Sequence, residues 1–198
     1  TKKNVLLKHE LAAIAKKLDG KSSVFFPSPD GHSIPVVSGF MSSRSWIAEA
    51  MGVNEADLLD AFRLAADNPL SCNQVKQAPC QEVVHNDFDV RTLLPVPTHS
   101  EHDSGPYITA GLVIAKNPKT GIQNVSINRI QVNSKDRMAV LILPRHLHAF
   151  QKAAEELNQS LLVAVVIGVD PLTLLASQAI APIDSDELEI AGALHGVP

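Results

Sequence analysis

The chain has 198 residues, of which 45% are hydrophobic and 19% are charged, and its formal net charge is −4. This length suits one large or two small domains, and the composition supports a folded core rather than a disordered chain. Proteins that bind nucleic acid usually carry an excess of basic residues. This chain has an excess of acidic residues, so we predict no nucleic-acid partner. Only two cysteines are present, which excludes a disulfide framework and is typical of a reduced, cytoplasmic setting.

The most apolar stretch, residues 160–182, is interrupted by Asp170-Pro171. A membrane-spanning helix needs about 20 nearly uninterrupted apolar residues. We therefore predict a buried strand followed by a helix, and no membrane partner. Residues 1–20 alternate charged and apolar side chains and lack the continuous apolar segment of a targeting peptide.

The N-terminal part is predicted to form a helix followed by a β-hairpin. Apolar residues recur at helical spacing from Val5 to Leu18, and Gly20 stands where a helix commonly ends. Two β-prone segments follow, at 23–26 and 34–40, and the residues between them are rich in proline, aspartate and glycine. This pattern indicates two paired strands joined by a turn.

Two further helices are predicted before residue 70. Ser42 or Ser43 can cap a helix that ends at Met51, and Asn54 can cap one that runs through Ala66 and stops at Asn68-Pro69. The polar segment that follows, 69–80, is interpreted as a boundary between subdomains over residues 1–80 and 81–198.

Beyond this boundary, short apolar segments alternate with turn residues, which predicts an antiparallel meander followed by helices. The predicted strands are 82–84, 107–116, 122–132, 138–143 and 160–168, and the predicted helices are 145–157, 171–179 and 186–194. This mixture predicts an α+β fold with antiparallel strands in the middle.

Polar side chains within the strand 122–132 are candidate ligand contacts. Asn124, Ser126 and Asn128 share one face of a regular strand, which is either a ligand-binding surface or a solvated sheet face. Arg129 falls on the opposite, apolar face, where a buried arginine normally has a carboxylate or phosphate partner.

Two ionisable residues, His146 and Glu187, lie near predicted helix starts, and each has both a structural and a functional interpretation. His146 follows Pro144-Arg145 and is either a surface or cap residue or a ligand. Glu187 follows Asp184 and Asp186, where the helix dipole favours acids, and that explanation suffices for at least two of the three. These residues alone predict a soluble α+β domain with a possible anion or ligand site.

Two other groups resemble metal sites only superficially. His99 and His102 have His-x-x-His spacing, but the surrounding prolines and glycine leave no helix to present them together. Cys72 and Cys80 lack Cys-x-x-Cys spacing, so we expect no zinc there.

Four ordered blocks resemble the UbiD family of decarboxylases, which use prenylated flavin mononucleotide (prFMN). The blocks read LLPVPTHSEHDSGPYITAGLVIAKNPKTGIQNVSINRIQV, LPRHLHAF, VVIGVDPLTLLA and APIDSDELEIAGALHGVP, and upstream PVVSGFMSSRSWIAEAMGV is also similar. The resemblance covers the whole chain. It implies an N-terminal α/β subdomain followed by a split-β-barrel-like flavin-binding domain with flanking helices. It also implies that the chain is an N-terminal half without the family's C-terminal domain.

The resemblance further implies a set of cofactor contacts. Manganese or another divalent cation, bridging to the flavin phosphate, is expected on Asn124, His146 and Glu187, whose donor atoms suit a hard cation. Arg145 stands where the family often has a glutamine, and potassium is a further expected ion near residues 177–179. The implied flavin-contacting residues are Thr109, Asn124, Val125, Ser126, Ile127, Asn128, Arg129, Arg145, His146, Ser177, Gln178 and Glu187.

Arg129 matches the arginine of the family's catalytic Glu–Arg–Glu network. The two glutamates are expected beyond residue 198, which implies a decarboxylase part that is inactive alone. The implied substrate is an aromatic or α,β-unsaturated carboxylic acid. A flavin prenyltransferase would supply the cofactor, and the full-length protein would form a homo-oligomer. The alternatives are a non-enzymatic flavin-binding or subunit-like module that needs a partner chain, and a structural fragment whose site residues are not used.

Overall fold

The computed structural model describes residues 4–197 as a mixture of helices and strands. The helices are α1 (Glu10–Leu18), α2 (Arg44–Met51), α3 (Leu58–Asp67), α4 (Val90–Leu93), α5 (His146–Glu156), α6 (Pro171–Ala176) and α7 (Glu187–His195). The strands are β1 (Val24–Phe26), β2 (Val36–Ser38), β3 (Tyr107–Lys116), β4 (Gln123–Val132), β5 (Met138–Val140) and β6 (Val163–Val166). Short 3₁₀ turns cover Pro29–Gly31, Glu55–Asp57 and Pro79–Gln81. The predicted α+β class is confirmed.

The chain forms two compact units, each built from three separate segments. The first comprises the residues up to Ser43, Gln74–Ile108 and Ile130–Val140. The second comprises Arg44–Asn73, Thr109–Arg129 and the residues from Leu141 onward. The subdomain boundary at residue 80 is a division along the sequence and stays a prediction.

In the first unit, α1 packs with the β1–β2 hairpin around the buried side chains of Val5, Leu11, Val24 and Phe26. The hairpin is antiparallel, as predicted. The helix begins at Glu10 rather than at Val5, because His9 has a φ of 68° and Lys8 forms a β-bridge with Thr98. Val5 is therefore a core residue without being helical.

In the second unit, α2, α3, α6 and α7 pack together, and α3 ends before Asn68-Pro69 as predicted. The amide of Asn54 donates to the Asp57 carboxylate at 3.1 Å instead of capping the helix. A 3₁₀ turn consequently precedes α3, which begins at Leu58. Small residues, Ala176 and Ala191 with Ile190, form the buried contact at α6 and α7.

The larger sheet has the strand order β5-β4-β3-β6. The β4–β5 and β3–β6 pairs are antiparallel. The strands predicted over 107–116 and 122–132 are confirmed, whereas β5 and β6 are shorter than predicted. The strand predicted at 82–84 is wrong, because this segment is an exposed loop in which Val83 is 71% and Val84 68% accessible.

The apolar stretch over 160–182 divides into β6 and α6, as Asp170-Pro171 predicted. Within residues 4–197, none of the helices has the length and apolar character that crossing a membrane demands.

Candidate functional site

An open cavity of about 740 Å³ lies in the second unit. It is bounded by one end of β4, the segment leading into α5, the turn after α6 and the first residue of α7. The lining residues are 124–129, 141–147, 177–181 and Glu187. Four segments that are far apart in the sequence therefore contribute to one surface.

A buried carboxylate joins α7 to β4 at this cavity. Glu187 is 3% exposed, and Asn124 is 4% exposed. Asn124 Nδ2 donates to Glu187 Oε1 at 2.8 Å, and the Val125 backbone N–H donates to Glu187 Oε2 at 2.7 Å. Glu187 is the first residue of α7, where the positive end of the helix dipole stabilises a negative charge.

Burial nevertheless dominates the electrostatics of Glu187. Desolvation raises the pKa of its carboxyl above the ordinary value of 4.5, while the Val125 and Asn124 hydrogen bonds and the nearby His146 act in the opposite direction. The dipole explanation predicted from the sequence is therefore incomplete for Glu187, because it does not account for the cost of burying this charge.

The side-chain oxygen of Asn124 is a buried hydrogen-bond acceptor. Among the residues that the structure describes, Asn124 Oδ1 is buried and has no hydrogen-bond partner. Leaving such an acceptor unsatisfied costs about 1–3 kcal/mol. A cation placed beside Oδ1 would remove that penalty, so the orphaned atom points to a ligand.

The chemistry of the neighbouring donors fits a hard divalent cation. Asn124, Glu187 and His146 all line the cavity, and their side chains carry an amide oxygen, a carboxylate and an imidazole, which are donor types suited to manganese or magnesium. Within residues 4–197, no group of three or more His, Cys, Asp or Glu side chains is arranged to hold a metal ion. A cation held at this cavity would therefore depend on the Asn124 amide.

The remaining residues of β4 at the cavity are mostly polar. Asn128 Nδ2 donates to Ser126 Oγ at 3.0 Å and to the Ser126 carbonyl at 3.2 Å. Arg129, predicted on the apolar face opposite Asn124, is exposed and lines the same cavity. The strand is continuous over Gln123–Val132.

The other predicted flavin contacts divide into two groups. Arg145, Ser177 and Gln178 line the cavity, with Ser177 donating to the Leu174 carbonyl at 2.7 Å and Gln178 to the Ser177 carbonyl at 3.0 Å. Thr109 is an exposed residue of β3 and is not among the lining residues.

The histidines and cysteines that superficially resembled metal ligands lie elsewhere. His99 and His102 belong to the first unit, and His102 Nε2 lies 3.8 Å from the Glu101 carboxylate on the surface. Cys72 and Cys80 are exposed free thiols.

Sequence reasoning missed most of the apolar lining residues and one polar pair. Leu141, Leu143 and Ile180 are exposed side chains at the cavity. Leu141 and Leu143 were assigned to a strand that ends earlier. Gln123 Nε2 donates to Asp186 Oδ2 at 2.9 Å, and the only sequence signal was that these residues adjoin Asn124 and Glu187.

At the cavity of this α+β chain, an amide oxygen without a donor among the described residues lies beside a buried carboxylate. A cavity of this kind is suited to hold a cofactor together with a cation. Residues 73–198 match the family model described as the 3-octaprenyl-4-hydroxybenzoate carboxy-lyase Rift-related domain. Residues 1–65 match the N-terminal domain of the same carboxy-lyase. The chain belongs to the UbiD family, as the sequence blocks predicted.

The chain is similar to decarboxylases and to a prFMN-bound structure. It is 39% identical over 162 residues to anhydromevalonate phosphate decarboxylase of Methanothermobacter thermautotrophicus, covering 82% of this chain and 38% of that protein. It is 30% identical over 171 residues to gallate decarboxylase of Lactiplantibacillus plantarum, covering 81% and 35%.

The structure resembles an evolved dimeric form of the UbiD-class enzyme HmfF from Pelotomaculum thermopropionicum in complex with prFMN. The TM-score is 0.96 at 43% identity, and the match covers 100% of this chain and 47% of that chain. The chain thus spans less than half the length of these relatives.

Proposed function

We propose that this chain is the flavin- and metal-binding part of a UbiD-type decarboxylase that acts on an aromatic or α,β-unsaturated carboxylic acid. The family membership and the prFMN complex of a similar enzyme support the cofactor. The names of the decarboxylating relatives support the reaction class. The chain spans under half the length of those proteins. We therefore propose decarboxylation for the full-length protein rather than for these 198 residues.

The observation that carries the proposal is the orphaned Asn124 Oδ1 beside the buried Glu187 carboxylate. Asn124, His146 and Glu187 would hold a divalent cation, Mn²⁺ in the first instance. The flavin phosphate would be bound beside that cation, with residues 124–129, Arg145, Ser177 and Gln178 around it. Potassium is proposed as a further ion near Ser177 and Gln178.

When bound, prFMN supplies the electron sink for loss of carbon dioxide. The role proposed for Arg129 is to orient the substrate carboxylate by charge-assisted hydrogen bonds. The planar guanidinium of Arg129 presents N–H donors in a fixed geometry that matches a carboxylate. We further propose that a flavin prenyltransferase supplies the cofactor and that the full-length protein is a homo-oligomer.

The test is binding of Mn²⁺ in the presence of FMN, measured by titration calorimetry. The unsubstituted chain is expected to bind one Mn²⁺, and Asn124→Ala, His146→Ala and Glu187→Ala are each expected to weaken binding at least about tenfold. Asn133→Ala, His148→Ala and Glu189→Ala are matched controls, because these residues do not line the cavity. Equal Mn²⁺ affinity in all six variants would contradict the proposal.

A further inference from the structure

The start of α7 is attached to β4 by more than the Glu187 carboxylate. Gln123 Nε2 donates to Asp186 Oδ2 at 2.9 Å. The other carboxylate oxygen, Asp186 Oδ1, accepts the Leu188 backbone N–H at 2.9 Å and so caps α7. One carboxylate therefore fixes where the helix begins and connects that point to the strand residue preceding Asn124.

This connection differs in kind from the two hydrogen bonds that reach Glu187. Each of those bonds uses one Glu187 carboxylate oxygen, and a cation ligated by Glu187 would share the same atoms. The Gln123–Asp186 bond uses no atom of a candidate ligand. It can hold β4 and α7 together whichever group Glu187 contacts.

We propose that Gln123 and Asp186 are a positioning pair that sets β4 against α7 so that Asn124 and Glu187 face one cation; this inference rests on the proposed function. Side chains of a strand alternate between its faces, so a shift of one residue would replace Asn124 by Gln123 or Val125 and turn the Asn124 side chain to the other face. A bond at residue 123 prevents that shift at the adjacent position.

The test uses amide–carboxylate exchange between the two positions. Gln123→Leu removes the donor, and Gln123→Glu places two carboxylates together. Asp186→Asn can still cap α7 and can donate to a rotated Gln123 amide. The double variant Q123E/D186N re-forms the bond in the reverse direction and has the net charge of the unsubstituted chain. Gln131→Leu is the matched control. It removes a similar glutamine hydrogen bond from β4, the one to Ser104 Oγ, in the first unit and away from the cavity.

Mn²⁺ affinity in the presence of FMN is the first measurement. Q123L and Q123E are expected to weaken binding by about 10–100-fold, as is common when a group supporting a metal ligand is lost. D186N, Q123E/D186N and Q131L are expected to bind close to normally. Urea unfolding of the metal-free variants separates this effect from a general loss of stability, because Q123L and Q131L each lose one hydrogen bond of similar type.

Hydrogen exchange of the Val125 amide in metal-free protein is the second measurement. Exchange should accelerate in Q123L and Q123E and return towards normal in Q123E/D186N. Q123L with the Mn²⁺ affinity of Q131L would overturn the inference. If the unsubstituted chain bound no Mn²⁺, the proposed function would fail. Unchanged Val125 exchange in Q123L would then reject the positioning pair as well.

Discussion

Glu187, the first residue of α7, is a carboxylate that is almost completely buried. Two N–H groups and the helix dipole stabilise its charge, yet burial still raises the pKa of its carboxyl. A carboxylate that is only partly compensated by the protein has free energy to gain from a cation. The same holds for the amide oxygen of Asn124.

The raised pKa of Glu187 predicts a particular pH dependence in metal-free buffer. A carboxyl group whose pKa is higher in the folded state stabilises the fold below its unfolded pKa, and this contribution is lost as pH rises through the folded pKa. The unsubstituted chain should therefore lose stability relative to Glu187→Gln as pH rises above the ordinary carboxyl value of 4.5. Urea unfolding with a chelator present measures the difference, with Glu189→Gln as the control on the same helix.

At neutral pH, added Mn²⁺ should make the unsubstituted chain more stable than Glu187→Gln. At a free concentration of one hundred times Kd, binding stabilises the folded state by about 2.7 kcal/mol. Glu187→Gln should gain little, because the substitution removes a proposed ligand. A pH-independent difference without metal, or equal Mn²⁺ stabilisation of both proteins, would count against the account given for Glu187.

Helix α7 is positioned by a close approach of backbone as well as by its first residues. The Leu70 N–H donates to the Glu189 carbonyl at 2.9 Å. A Cβ at Gly192 would lie 3.0 Å from the Val197 carbonyl oxygen and 3.4 Å from the Leu70 carbonyl oxygen. A glycine therefore stands at position 192 because the surrounding backbone leaves little room for a side chain, and not because the position needs a positive φ.

Gly192→Ala should therefore destabilise the chain, although alanine normally favours a helix. The gain in helix propensity is about 1 kcal/mol, whereas forcing an extra carbon into a packed contact costs about 1–3 kcal/mol. Urea unfolding measures the net effect. Gly105→Ala is the control, because the nearest atom to its added Cβ is the end of the Gln131 side chain at 3.4 Å rather than backbone. A stabilised Gly192→Ala variant would show that this contact yields easily.

The sequence predicted elements best where a long pattern and clear end signals agreed. β3 and β4 have ten residues each and are bounded by turn residues, so their existence was predictable. Residues 82–84 have β propensity but no partner strand, and residues 5–9 have helical spacing but irregular backbone. Pairing and tertiary contacts decide such short segments, and a single sequence does not contain them.

At the scale of the whole molecule, the candidate site was predictable in its residues but not in its geometry. Resemblance identified Asn124, His146 and Glu187, which the structure brings to one cavity. The burial of Glu187 and the orphaned oxygen of Asn124 depend on how α7 meets β4. No local pattern encodes that contact.

The resemblance places the flavin- and metal-binding residues within this chain and the two catalytic glutamates beyond it. This arrangement predicts how the 198-residue chain behaves alone. Reconstituted with prFMN and Mn²⁺, it should bind the cofactor but release no carbon dioxide from gallate, the acid that names one of its relatives. The resemblance implies that the two catalytic glutamates lie beyond residue 198, and losing general acid–base catalysis costs about 10²–10⁴-fold. Turnover of gallate by these 198 residues, with Arg129→Ala as the control, would contradict this expectation.

The distance along the chain between Asn124 and Glu187 has a consequence for biosynthesis. These residues are 63 positions apart, and closing a loop of that length costs an unfolded chain about 4 kcal/mol. At about 5–20 residues per second, a ribosome adds Glu187 at least about 3 s after Asn124. A nascent chain therefore exposes the amide before its carboxylate partner exists. Cation capture at this site would follow tertiary folding and could not guide its early steps.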